Sequence, residues 1–192
     1  MTVATTDWAM SLNPAWYSTI YGAMFMIGQG LSALSFGLIT LIYFSTAEQK
    51  SRVSAEAYHD LGKLLLAFVM LWAYMNLSQF LIIWSGNLAE EASWYLDRFK
   101  NGWQYAGFGM LILQFFLPFF ILLSRPFKRN PDALGKIAVL IFIARFADLF
   151  WTVKPAFCPG LSFTLLDLML WAGLGGIWLA FFFTQKELLA KR

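Results

Sequence analysis

GKIAVLIFIARFADLFWTV, residues 135–153, and LSFTLLDLMLWAGLGGIWLAFFF, residues 161–183, decide how this chain is read. Each has about the 20 mostly apolar residues that a membrane-spanning helix needs. Yet Arg145, Asp148 and Asp167 stand inside them. A charge at the bilayer centre costs roughly 2.5–3.5 kcal/mol on insertion scales, so such residues pair, line a watery cavity, or do both. A proton pathway, an ion site and a structural ion pair are the readings this trio opens.

Working outward, three more stretches qualify as spans: 18–44, 61–84 and 103–123. The expected fold class is therefore an all-α integral membrane protein, a bundle of about five transmembrane helices forming one domain over residues 1–192. Composition agrees: the 192 residues are 59% hydrophobic, 19% aromatic and only 13% charged, about half the charge of a soluble domain. The first span is long enough to tilt, and Pro118 is expected to kink the third. Residues 1–17 hold no Lys or Arg and the next apolar run is long, so the start does not read as a cleavable signal.

The loop charges set an expected orientation. Lys50, Arg52, Lys63, Arg125, Lys128, Arg129, Lys136, Lys186, Lys191 and Arg192 gather on one side, against Arg98, Lys100 and Lys154 on the other. By the positive-inside rule the N-terminus lies outside and the C-terminus inside. Trp16, Trp84, Trp94, Trp103 and Trp151 then fall at outer ends, as an interfacial belt would. The 85–102 connection reads as amphipathic and surface-lying, and 45–60 as a solvated inner loop. Ala172, Gly176 and Ala180, like Ser18 and Gly22, are spaced for close helix packing.

Several chemistries are excluded. A net charge of +3, widely dispersed, does not suggest a nucleic-acid partner. One cysteine, Cys158, allows neither an internal disulfide nor a four-thiolate metal site. One histidine, His59, rules out bis-histidine haem within the chain, and no CxxCH motif attaches haem c. Any redox centre would belong to a partner.

The ~1.5 Å rise per residue places Asp148 about 8 Å and Asp167 about 9 Å below the outer surface. The short 154–160 loop makes the two helices neighbours, with the carboxylates level. Arg145, three residues before Asp148, shares its face one turn deeper. One carboxylate is expected to stay ionised against Arg145, leaving the other able to exchange a proton, as a relay needs. A static pair that fixes packing is the competing reading, and the two are compatible.

Asn76 and Gln79 add amides to the outer half of the second helix, with Gln114 and Gln29 near mid-depth; hydrogen-bonded packing is their plainer role. At the inner end stand His59 and Asp60, beside Tyr58 and Lys63. A histidine titrates near physiological pH and could collect protons there, although interfacial side chains often do no more than face water. His59 and Gln79 lie about 160° apart around their helix, so a relay has to cross between helices.

HDLGKLLLAFVMLWAYMNLSQFLIIWSGNLAEEASWYLDR, residues 59–98, resembles a segment of the ActF-type membrane subunit of bacterial alternative complex III, in the NrfD/PsrC-like family. LLSRPFKRNP at 122–131, RFADLFWTVKPAF at 145–157 and SLNPAWYSTIYG at 11–22 are similar to other segments of it. The resemblance implies a multi-pass subunit of a quinol:cytochrome c or quinol:oxidase oxidoreductase in the bacterial inner membrane. It implies no prosthetic group in this chain, with quinol oxidation mainly in a sister membrane subunit. Multihaem cytochrome c and iron–sulfur subunits are the implied outer partners, and a role in moving protons is implied as well. A quinone contact with this chain stays open, though Trp72, Tyr74, Trp171 and Trp178 read more readily as core or lipid-facing. Only the second half of the family's subunit is matched, so a fragment, a split product or a half-subunit is expected.

On this reading Arg145, Asp148 and Asp167, with Asn76 and Gln79, form the outer part of a proton pathway, and His59 with Asp60 its inner mouth. A pure scaffold anchoring redox subunits is the first rival. Half of a secondary transporter or channel is the second, although that architecture uses paired broken helices and only Pro118 interrupts a span.

Overall fold

The computed structural model describes residues 1–190, with side chains at 1–50 and 52–185. Residues 1–160 form one compact unit and residues from Leu161 onward a second.

The first unit opens with a short helix, α1 (Thr2–Trp8), and a 3-10 turn at Met10–Leu12. The first long helix, α2 (Tyr21–Tyr43), follows. A five-residue helix, α3 (Ala47–Ser51), is held by a capping box between Thr46 and Gln49, so the 45–60 loop is more ordered than expected. Helix α4 (Ala55–Gly86) begins six residues before the expected 61, because the Ser54 hydroxyl accepts from Ala57 N and Glu56 sits in the first turn. Both satisfy the helix's unpaired N–H groups and its dipole. It ends where Asn87 turns left-handed at φ 47°, a conformation asparagine tolerates.

Helix α5 (Ala89–Arg98) occupies the expected surface-lying connection. The next span comprises α6 (Trp103–Leu111), a π-helical turn at Ile112–Phe116 and α7 (Leu117–Leu123). Pro118 gives the π turn a cause: it has no N–H for the Gln114 carbonyl, and its ring crowds that carbonyl. The ladder takes up one extra residue, with Leu117 N donating to Ile112 O. Helix α8 (Arg125–Arg129) then leads into α9 (Pro131–Val153). There the Asn130 side chain accepts from Asp132 N and Ala133 N, and Pro131 takes the first helical position.

Helices α2, α4 and α9 pack against one another, and the π-interrupted span packs on α4 and α9. Tyr43 lies against Gly135 and Arg145 against Gly28, so α2 and α9 run antiparallel. Leu31, Leu65, Val69, Leu134, Ala138 and Ile141 are fully enclosed between them.

The second unit is α10 (Leu165–Ala190). Tyr21–Tyr43, Ala55–Gly86, Trp103–Leu123 and Leu165–Gln185 are long and apolar enough to cross a membrane, which makes the chain an all-α, multi-pass membrane bundle. Helix α9, expected as a fifth span, carries Asp132, Lys136, Arg145 and Asp148 in 23 residues and is too charged to count by composition. It turns Arg145 and Asp148 onto its buried face, together with Ala138, Ile141 and Ala144.

The expected tryptophan belt is corrected. Trp16, Trp94 and Trp103 are buried, and of the five expected belt residues only Trp84 is broadly exposed. Trp16 stacks on Trp94 at 5.1 Å, and Trp94 meets Trp151 edge-on at 5.6 Å. Trp151 Nε1 donates to Trp103 O at 3.1 Å. These rings pack one end of the bundle instead of anchoring it to lipid headgroups.

Candidate functional site

Arg145 and Asp148 sit one turn apart on the buried face of α9 and form a direct ion pair between Nη1 and Oδ2. Each is almost wholly enclosed, at 4% and 6% exposure. A buried pair of this kind holds only when further hydrogen bonds satisfy it. One comes from across the bundle: Trp72 Nε1, on α4, donates to the same Asp148 Oδ2 at 3.1 Å. Trp72 is thus core, one of the two places the sequence allowed it, and also a polar partner that hydropathy could not reveal.

Room for the guanidinium comes from α2. A Cβ added to Gly28 would stand 2.6 Å from Arg145 Cζ, so glycine is what lets the guanidinium lie against this backbone. Beside the pair is a cavity of about 20 Å³, lined in part by Tyr21, Trp72, Asn76, Arg145, Asp148 and Thr152. Asn76 donates to Trp72 O at 2.8 Å, and Thr152 Oγ1 to Asp148 O at 2.8 Å. Arg145 Nε is buried without a hydrogen-bond partner.

A second arginine completes this end of the bundle. Arg98, read from sequence as an outer loop charge, is 1% exposed. Its guanidinium stacks on Trp94 at 3.5 Å and donates to Trp94 O at 2.9 Å and to Thr152 O. The cation thereby stands in the last turn of α5 and meets a carbonyl in the last turn of α9, where the helix dipoles favour it. Among the described residues it forms no ion pair with a carboxylate. Burial pulls its pKa down to about 10, so it keeps its charge at neutral pH. Tyr95, close by, is pushed up by burial. The i, i+4 spacing of Trp94 and Arg98 was the available sequence signal, since such pairs meet on one helix face.

The remaining expected residues fall elsewhere. Gln79 is buried, and its Oε1 accepts from Ser18 Oγ at 2.9 Å. It pins the chain before α2 and does not line the cavity. Asp167 lies in the first turn of the last helix, which starts at Leu165 and not at 161, where the apolar run begins. Its Oδ2 accepts from Thr164 N at 2.9 Å and Thr164 Oγ1 at 2.7 Å, which is the work of a helix cap.

At the opposite, basic end, His59 is buried and Asp60 exposed. Asp60 pairs with Lys63 at 3.0 Å. His59 Nδ1 stands 3.9 Å from both Glu56 and Asp60 carboxylate oxygens and has no hydrogen-bond partner. Glu56 is contacted by Arg129, and Lys128 lies across Gly62. Thirteen residues, or about 20 Å of helix, separate His59 from Trp72, and the apolar core fills much of that interval.

Two buried polar side chains occupy the middle. Ser35 on α2 and Gln114 in the π turn are both fully enclosed, and neither Ser35 Oγ nor either Gln114 amide atom has a partner. Helix rise places Ser35 ~12 Å from the basic end of α2 and Gln114 ~14 Å from the corresponding end of α7. Ser35 carried no signal in the sequence, because serine is common in spans.

Among the described residues no three His, Cys, Asp or Glu side chains are grouped to hold a metal ion. Compared with known proteins, the chain matches no family model and no curated protein.

Proposed function

We propose that this chain is a membrane subunit or half-subunit of a quinol-oxidising respiratory complex, handling protons without a redox centre of its own. The buried Arg145–Asp148 pair, bridged to α4 by Trp72, is the observation that carries the reading. An ionisable pair buried inside a membrane bundle is a functional-site candidate by default. The resemblance of residues 59–98, 122–131 and 145–157 to the alternative complex III subunit supports the choice of complex. Quinol oxidation is assigned to a sister membrane subunit, and haem c and iron–sulfur clusters to partners on the outer side. The positive-inside bias of the loops supports an outer position for the tryptophan-rich end with Arg98 and Asp148, and the resemblance supports a bacterial inner membrane.

Mild-detergent purification through a tag on this chain tests the assignment. The expected result is co-purification of a c-type haem protein and an iron–sulfur protein, with quinol-dependent haem reduction. Recovery of the chain without any haem protein, from membranes that contain it in full amount, contradicts the reading.

A scaffold role is the second reading, and one observation favours it. Both donors to Asp148 converge on a single oxygen, and Gly28 fits the guanidinium closely, as a pair serving only to register three helices would.

A further inference from the structure

We propose that the cavity beside Arg145 is a binding site for a single water molecule, held between Arg145 Nε and the Asp148 carboxylate. Its volume of about 20 Å³ exceeds the roughly 10–15 Å³ that one water requires, and it is too small for a lipid headgroup or a quinone ring. Cavities that stay dry have wholly apolar walls, whereas Asn76, Arg145, Asp148 and Thr152 stand here among apolar neighbours that include Met24, Phe25 and Leu149. A buried guanidinium N–H with no partner is costly; Arg145 Nε is such a group, and Arg145 is one of the residues that line the cavity.

The acceptor side is present too. The indole and the guanidinium both approach Asp148 through Oδ2, so Oδ1 keeps lone pairs for a third donor. The Asn76 side chain uses its Nδ2 on Trp72 O, which leaves its amide oxygen as a further acceptor. Water needs two to four such partners. A bound anion is disfavoured, since the Asp148 carboxylate lines the same space.

This water changes what Asp148 can do. An indole N–H is a donor only, and a guanidinium has no acceptor, so neither of the two contacts can take a proton from the acid. The water can, and it lies beside Thr152 and Tyr21 towards the tryptophan-rich end. This exit role rests on the proton-handling reading; the water site itself does not.

The test is an experimental map of the full chain, in its native complex, at a resolution that shows ordered water. The expected result is one peak within hydrogen-bonding distance of Arg145 Nε and the Asp148 carboxylate. In Asn76→Leu the peak is expected to be lost while the Arg145–Asp148 contact remains. An empty cavity, or density extended like a lipid chain, overturns the proposal, and the wild-type map decides this even where Asn76→Leu does not assemble. A water present alongside unaltered proton coupling in Asp148→Asn overturns the proton role alone. An empty cavity alongside lost coupling overturns the water site alone.

Discussion

Gly28 and Arg145 are fitted to each other across the α2–α9 contact: a Cβ on residue 28 would fall 2.6 Å from the Arg145 guanidinium carbon. Gly28→Ala therefore has to displace either the helix or the ion pair. Overpacking of this kind costs about 1–3 kcal/mol, and a lowered melting temperature in detergent is expected. Gly37→Ala is the control, because nothing lies within 4 Å of its Cβ position. It is expected to leave stability unchanged or to raise it by up to ~1 kcal/mol through helix propensity.

Removing one partner of the buried pair should be worse than removing both. Arg145→Met leaves Asp148 uncompensated and Asp148→Leu leaves Arg145 so, each at a cost of about 3–5 kcal/mol. The double variant Arg145→Met/Asp148→Leu is expected to recover most of that stability in thermal unfolding. Additive losses would mean that the two side chains are not coupled as the geometry shows.

Gln114 presents the opposite case. Its amide is fully enclosed without partners, and an unsatisfied buried polar group costs about 1–3 kcal/mol. Gln114→Leu is expected to stabilise the isolated protein in thermal unfolding. A loss of stability would show that the amide is hydrogen-bonded in the folded chain.

Arg98 ties α5 to the end of α9 through Trp94 O and Thr152 O. Arg98→Lys keeps the charge but loses the planar fork and its stacking. Amide hydrogen exchange over residues 89–98 is expected to quicken in this variant, with the α4 core unchanged. Unaltered exchange would show that the aromatic packing alone holds the helix.

Much of this architecture was legible from hydropathy and loop charge. Apolar runs located the long helices, and three-residue spacing put Arg145 and Asp148 on one face. The misses share a physical origin, since one-dimensional patterns do not record what crosses between helices. Trp72 reads as one apolar residue among many until α9 places Asp148 opposite its indole. Gly28 is one glycine among 14 until the guanidinium lies on it. Arg98 was counted with the solvated charges because its segment is polar on average, although Trp94 one turn back offered a cation–π partner. The last helix was expected from Leu161, where the apolar run begins, whereas the Thr164–Asp167 cap starts it at Leu165.

The central claim is that Asp148 handles protons, and proton release per electron measures it most directly. The complex containing Asp148→Asn, verified intact in composition, would be reconstituted in vesicles and supplied with quinol. Proton release per electron is expected to fall well below that of the wild type. Unchanged release and unchanged turnover in an intact complex would contradict the claim and leave the Arg145–Asp148 pair as packing.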